Sequence, residues 1–125
     1  MTLHNQKLPY RIIFKELEDY PISDILVEGE LQRAAVDELV EVFKQCIQTA
    51  RKPFVLINVD LSHPSIRYTP YSRQRGEDVL AIIPDKKIMY LAICARVGTM
   101  YEFLRVIIRH DDNRRQNVIQ RVFTD

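Results

Sequence analysis

Residues 54–61 read FVLINVDL, an almost unbroken apolar run that ends on an acid, with Ser62 and Pro64 just beyond it. A run this short and this apolar suits a strand in the middle of a parallel sheet, covered on both faces so that no polar alternation is needed. Residues 86–96, KKIMYLAICAR, repeat the pattern. Buried strands that alternate with segments of helical periodicity select an α/β class, with parallel strands joined by right-handed crossovers.

Upstream, residues 31–51 carry Leu31, Ala35, Leu39, Val42, Phe43, Cys46, Ile47 and Ala50 at helical spacing, opposed by Gln32, Arg33, Asp37, Glu38, Glu41, Lys44 and Gln48. That segregation predicts an amphipathic helix. Its acids come early, Lys44, Arg51 and Lys52 come late to complement the dipole, and Pro53 ends it. Downstream, Thr69-Pro70 reads as a helix start, a threonine N-cap followed by proline at the first helical position, with the helix stopped by Pro84. Thr99 reads as the cap of a third helix over 100–110, whose apolar stripe is Met100, Phe103, Leu104, Ile107 and Ile108.

At the amino end, residues 10–18 and 22–28 read as two strands around a turn at Asp19-Tyr20-Pro21, an antiparallel hairpin closed by Gly29. Residues 117–123, NVIQRVF, supply the last strand. The expected order is therefore β-β-α-β-α-β-α-β. It describes a single mixed, mostly parallel sheet in one α/β domain over residues 1–125, with 1–9 irregular.

With 46% apolar and 28% charged residues in 125, the chain fits one globular core; half of it would be too small to hold a core alone. Cys46 and Cys94 belong to no Cys-x-x-Cys pair and sit among apolar neighbours, so they read as buried thiols in a reducing cytoplasm. No segment approaches the roughly 20 apolar residues of a membrane span, and the polar start lacks the apolar stretch of a signal peptide. A cytoplasmic protein without membrane insertion is expected.

Charge is uneven: residues 1–50 hold five Lys or Arg against nine Asp or Glu, and residues 51–125 hold thirteen against eight. Such asymmetry can make an interaction surface. The basic part, Arg96, Arg105, Arg109, Arg114, Arg115 and Arg121, is diluted by Glu102, Asp111 and Asp112, which argues against nucleic acid as the partner. Gly29, Gly76 and Gly98 are scattered, which excludes the clustered glycines of dinucleotide and P-loop phosphate sites. His4, His63 and His110 have no metal-ligand spacing. No cofactor and no metal are expected.

The element order, the strand FVLINVDLS ending at Asp60-Leu61-Ser62, and the ending RVFTD together resemble the STAS-like superfamily, which includes the anti-sigma-factor antagonists and uncharacterised bacterial relatives. The resemblance spans nearly the whole chain. It implies a regulatory or scaffolding domain of bacterial signalling that binds a protein partner and catalyses nothing. It also implies a final helix beyond Asp125. In phosphorylated members an Asp-Ser-Ser-Gly turn follows this strand and its first serine accepts phosphate. Counting on from Asp60, that turn falls at Tyr68-Thr69-Pro70-Tyr71, which makes Thr69 the candidate phosphoacceptor, with Ser72 and Ser65 as neighbours. The acid, the second serine and the glycine of the family turn are absent here, and Pro70 follows at once.

Read from the residues alone, Thr69 is a helix cap, and a phosphate on it would sit at a helix N-terminus. Arg67, Arg73 and Arg75 are near enough in sequence to pair with such a phosphate or with an acidic partner, or else form a solvated basic face. Tyr68 and Tyr71, with Ile66, either rim a binding surface or lid the core. Ser65, Arg67, Tyr68, Tyr71, Arg73 and Arg75 are thus the expected partner-binding residues. Asp60 and His63, near the carboxyl end of the central strand where open α/β sheets gather ligands, form a candidate ligand site. No nucleophile accompanies them, and Asp60 is expected to hydrogen-bond its own loop. Two further readings stay open. One is a carrier or sensor of an apolar, lipid-like molecule; the other is a homodimer formed through the free edge of the first hairpin.

Overall fold

The computed structural model describes residues 9–16, 22–112 and 116–124. In the expected order it holds β1 Tyr10–Glu16, β2 Ile22–Gly29, α1 Arg33–Thr49, β3 Phe54–Leu61, α2 Pro70–Ala81, β4 Ile88–Ala95, α3 Thr99–Asp112 and β5 Val118–Thr124. The predicted turn at Asp19-Tyr20-Pro21, His4, Arg114, Arg115 and Asp125 lie outside the described residues.

The strands hydrogen-bond in sequence order, with β1 antiparallel to β2 and the remaining neighbours parallel. Each parallel connection steps one place in the same direction. Right-handed crossovers then put α1, α2 and α3 on the same side of the sheet. The core lies between the two layers. Ile25 and Val27 of β2, Val55, Ile57 and Val59 of β3, and Met89 and Ile93 of β4 meet Val36, Leu39 and Val40 of α1, Val79 and Leu80 of α2, and Leu104 and Ile108 of α3. Burying each such aliphatic side chain contributes about 1.5–3 kcal/mol.

The expectation that β3 and β4 are covered on both faces is not met. β3 alternates, with Asn58 exposed and Phe54, Leu56 and Asp60 only half-buried, and Ile88 and Tyr90 of β4 are each 41% exposed. The register explains the unbroken run. Ile22, Leu56, Tyr90 and Ile119 line up across β2 to β5 on the face opposite the helices. These apolar side chains cover one another laterally as cross-strand neighbours do. Polar pairs complete that face: Asn58 Nδ2 donates to Asp24 Oδ1 at 2.8 Å, and Arg11 meets Glu28 at 3.0 Å. Cys94 lies on the same half-open face, whereas Cys46 is buried as expected; neither forms a disulfide.

Two helix ends differ from expectation. α1 has no acid in its first turn and no base in its last, so the predicted dipole complement is missing within the helix. A base from elsewhere serves its carboxyl end: Lys87 Nζ reaches the carbonyl oxygens of Ala50 at 2.5 Å and Ile47 at 3.4 Å. α3 begins at Thr99 itself. Gly98, at φ 130°, accepts the Glu102 N–H at 3.1 Å and occupies the cap position expected of Thr99. No helix among the described residues is long and apolar enough to cross a membrane.

Candidate functional site

The chain leaving β3 is folded by its own side chains. Asp60 Oδ1 accepts both the backbone N–H of Ser62 at 2.9 Å and its hydroxyl at 2.6 Å, the local turn that short acidic side chains favour. His63 Nδ1 accepts the Ser65 N–H at 3.1 Å, and the Ile66 N–H bonds the His63 carbonyl at 3.1 Å. This turn drops Ile66 into the core, where it is 3% exposed. Arg67 Nη1 donates to the carbonyls of Pro64 at 2.7 Å and Ile66 at 3.0 Å. Asp60 and His63 each serve the loop, and no hydrogen bond joins them among the described residues.

Thr69 then starts α2 as predicted. It is extended, with φ −116° and ψ 163°; its Oγ1 accepts the Ser72 N–H at 3.1 Å, and Pro70 occupies the first helical position. Ser72 is buried, and its hydroxyl oxygen lies 3.0 Å from that of Thr69. Neither hydroxyl meets a histidine or carboxylate among the described residues, so the pair lacks the base that activates a nucleophile. Phosphate on Thr69 Oγ1 would break the cap and put a dianion at the open end of α2, where backbone N–H groups favour it.

The two tyrosines leave this turn in different directions. Tyr68 packs edge-on against Phe103 of α3, with ring centroids 5.5 Å apart and planes at 64°. Tyr71 turns to α1: its hydroxyl donates to Asp37, and the Arg33 guanidinium lies 4.6 Å over its ring. The hydrogen bond to Asp37, more than desolvation, raises the Tyr71 pKa above its ordinary value. Arg75 joins the same network, 3.3 Å from Asp37 and 2.8 Å from Asp78. The exposed aromatic rim considered for Ile66, Tyr68 and Tyr71 therefore does not form. Ile66 is core, and both tyrosines pack partly against it.

Arg73 is half-buried and lines the gap between the helices and the sheet, whereas Ser65, Arg67 and the Thr69 end of α2 remain on the surface of the loop. Opposite them stands the start of α3: His63, Pro64, Arg67, Arg96, Val97 and Thr99 surround a hollow of about 250 Å³. In the sequence Arg96 is one charge of a diffuse basic tail, and nothing local marks Val97, 71% exposed; Phe103 is 46% exposed. The apolar stripe expected of α3 includes Phe103, yet Leu104, Ile107 and Ile108 fill the buried face. At 100° per residue Phe103 lies on its flank, which was the available signal.

No protein-family model matches the chain, and no curated protein matches its sequence. A solved structure does: the crystal structure of an anti-sigma factor antagonist from Mycobacterium paratuberculosis has 12% sequence identity and a TM-score of 0.57, over 83% of this chain and 81% of that one. The fold is STAS-like. Within it, the Asp60 turn, the Thr69 cap and the hollow lie together at the carboxyl ends of β3 and β4, where open α/β sheets present their ligand-binding loops. On the helix layer, Asp37 of α1 and Tyr71 and Arg75 of α2 link the two helices. Among the described residues, no group of three His, Cys, Asp or Glu side chains could hold a metal ion.

Proposed function

We propose that the domain is a non-enzymatic regulatory or scaffolding module that docks a protein partner on the loop after β3, the first turn of α2 and the start of α3. One observation carries the reading. The Thr69 hydroxyl stands at the amino end of α2, on a surface that also offers Arg67 and Arg96 beside the exposed side chain of Val97. Exposed cations beside apolar side chains suit an acidic partner surface with an apolar centre. The likeness to an anti-sigma factor antagonist supports a signalling role for such a surface. Thr69 is the proposed phosphoacceptor, with Ser72 as a second hydroxyl released when the cap opens; added charge would change the partner's affinity.

Capture of partners from the source organism's extract tests this, with the wild type set against a Thr69→Glu, Arg73→Glu double variant. Loss or exchange of partners in the variant is the expected result. Identical recovery by both proteins contradicts the assignment of this surface, and phosphopeptide mapping that finds no phosphate on Thr69 or Ser72 removes the switch.

A further inference from the structure

We infer that the gap between the helix layer and the sheet is a binding site for a small, neutral, single-ring molecule bearing one carbonyl or ether oxygen, with Gln120 as its hydrogen-bond donor. The gap measures about 130 Å³; Met89, Leu91 and Ile93 form its floor, and Leu104, Ile108 and the Gly76 segment of α2 form its walls. Packed interiors contain few voids larger than a water molecule. An apolar cavity of about 150 Å³ stays dry and takes up benzene.

The size sets the class. Sites for drug-sized ligands run from about 300 Å³ upward, so a long acyl chain does not fit, and the lipid-like ligand considered from the sequence gives way to a compact ring.

Gln120 sets the polarity. It pairs with Leu91 in the β4–β5 register and lies between Val118 and Val122 on the helix-facing side of β5. It is 6% exposed, and its Nε2 has no hydrogen-bond partner. A buried amide without a partner is costly where an aliphatic residue would fit, and rotation of its terminal torsion turns the N–H₂ group toward the cavity. The charges at the rim offset one another: Arg73 and Glu77 are of opposite sign, and Arg75, whose Nε also lacks a well-aligned hydrogen bond, sits 3.3 Å from Asp37 and 2.8 Å from Asp78. A neutral acceptor, not a carboxylate, therefore matches the interior.

Acetophenone and its hydrocarbon counterpart cumene, titrated into the ¹⁵N- and methyl-labelled full chain, test the site. Saturable shifts of the Gln120 side-chain amide and of the Leu104, Ile108 and Met89 methyls are expected with acetophenone. The ratio of its affinity to that of cumene should fall at least fivefold in Gln120→Leu, which removes the amide and leaves an apolar side chain in its place. Ile108→Phe, which fills the gap, should abolish the shifts while thermal unfolding stays cooperative. No saturable shift with either probe at millimolar concentration, an unchanged affinity ratio in Gln120→Leu, or a bound water on Gln120 that neither probe displaces would overturn the inference. None of these outcomes bears on the loop surface of the proposed function.

Discussion

The Thr69 side-chain oxygen accepts the backbone N–H of Ser72 at 3.1 Å, and the two hydroxyl oxygens lie 3.0 Å apart. One residue thus satisfies an otherwise unpaired donor at the start of α2 and holds a buried hydroxyl. Thr69→Ala should cost about 1 kcal/mol, the usual value of a lost N-cap, and Thr69→Ser, which keeps the accepting oxygen, should leave stability nearly unchanged. Urea denaturation reads both. An unchanged midpoint for Thr69→Ala would mean that the cap contributes nothing and that the hydroxyl is free for other work.

That cap was legible because its chemistry is local: threonine, then proline, then a helix. The element order was legible for a similar reason, since α1 and the strands carry their own periodicity. The covering of β3 was not. FVLINVDL looks the same whether helices lie on both faces or Leu56 shelters between Ile22 and Tyr90 on an open one, because those neighbours come from other strands. The site divides in the same way. Thr69 and Asp60 act on residues two or three positions away and could be read. Tyr71 and Arg75 are drawn to Asp37, more than thirty positions upstream, and only the packing of α1 on α2 reveals that pull.

Lys87 shows a second long-range device. Its ammonium lies 2.5 Å from the Ala50 carbonyl and 3.4 Å from that of Ile47, at the negative end of α1. Lys87→Met keeps most of the stem and removes the charge, so it should destabilise the domain by roughly 1 kcal/mol through lost hydrogen bonds and a lost dipole contact. Hydrogen exchange should quicken first at the last turn of α1. Equal protection of that turn in both proteins would show that water serves the carbonyls as well as Lys87 does.

Two glycines should answer the same substitution with opposite signs. Gly29 has φ +93°, and a Cβ there would lie 2.2 Å from the Pro9 carbonyl oxygen and 2.7 Å from the Tyr10 Cα. Both neighbours are backbone, so Gly29→Ala must push β1 away from β2, at about 2 kcal/mol or more. Gly76 lies inside α2 with space around it. Gly76→Ala should stabilise by about 0.5–1 kcal/mol, the helix preference of alanine. Thermal melts of the two variants beside the wild type decide the matter, and shifts of the same sign would contradict the geometry at one position.

Tyr71 makes the interface between α1 and α2 sensitive to alkali. Its phenol is raised above 10.0, first by the hydrogen bond it donates to Asp37, then by desolvation and the Asp37 charge, with Arg75 and Arg33 opposing. The folded state therefore holds this proton more tightly than the unfolded chain. The contribution is complete below pH 10 and is lost as pH rises through the higher folded value, so stability falls with pH there. Tyr10 is also raised, chiefly by burial and then by Glu38, which supplies an internal control. In a ¹³Cζ-tyrosine titration, Asp37→Asn should bring the Tyr71 midpoint back toward 10 and leave Tyr10 where it was. If Tyr71 titrates unchanged in that variant, the hydrogen bond to Asp37 is not what holds the proton.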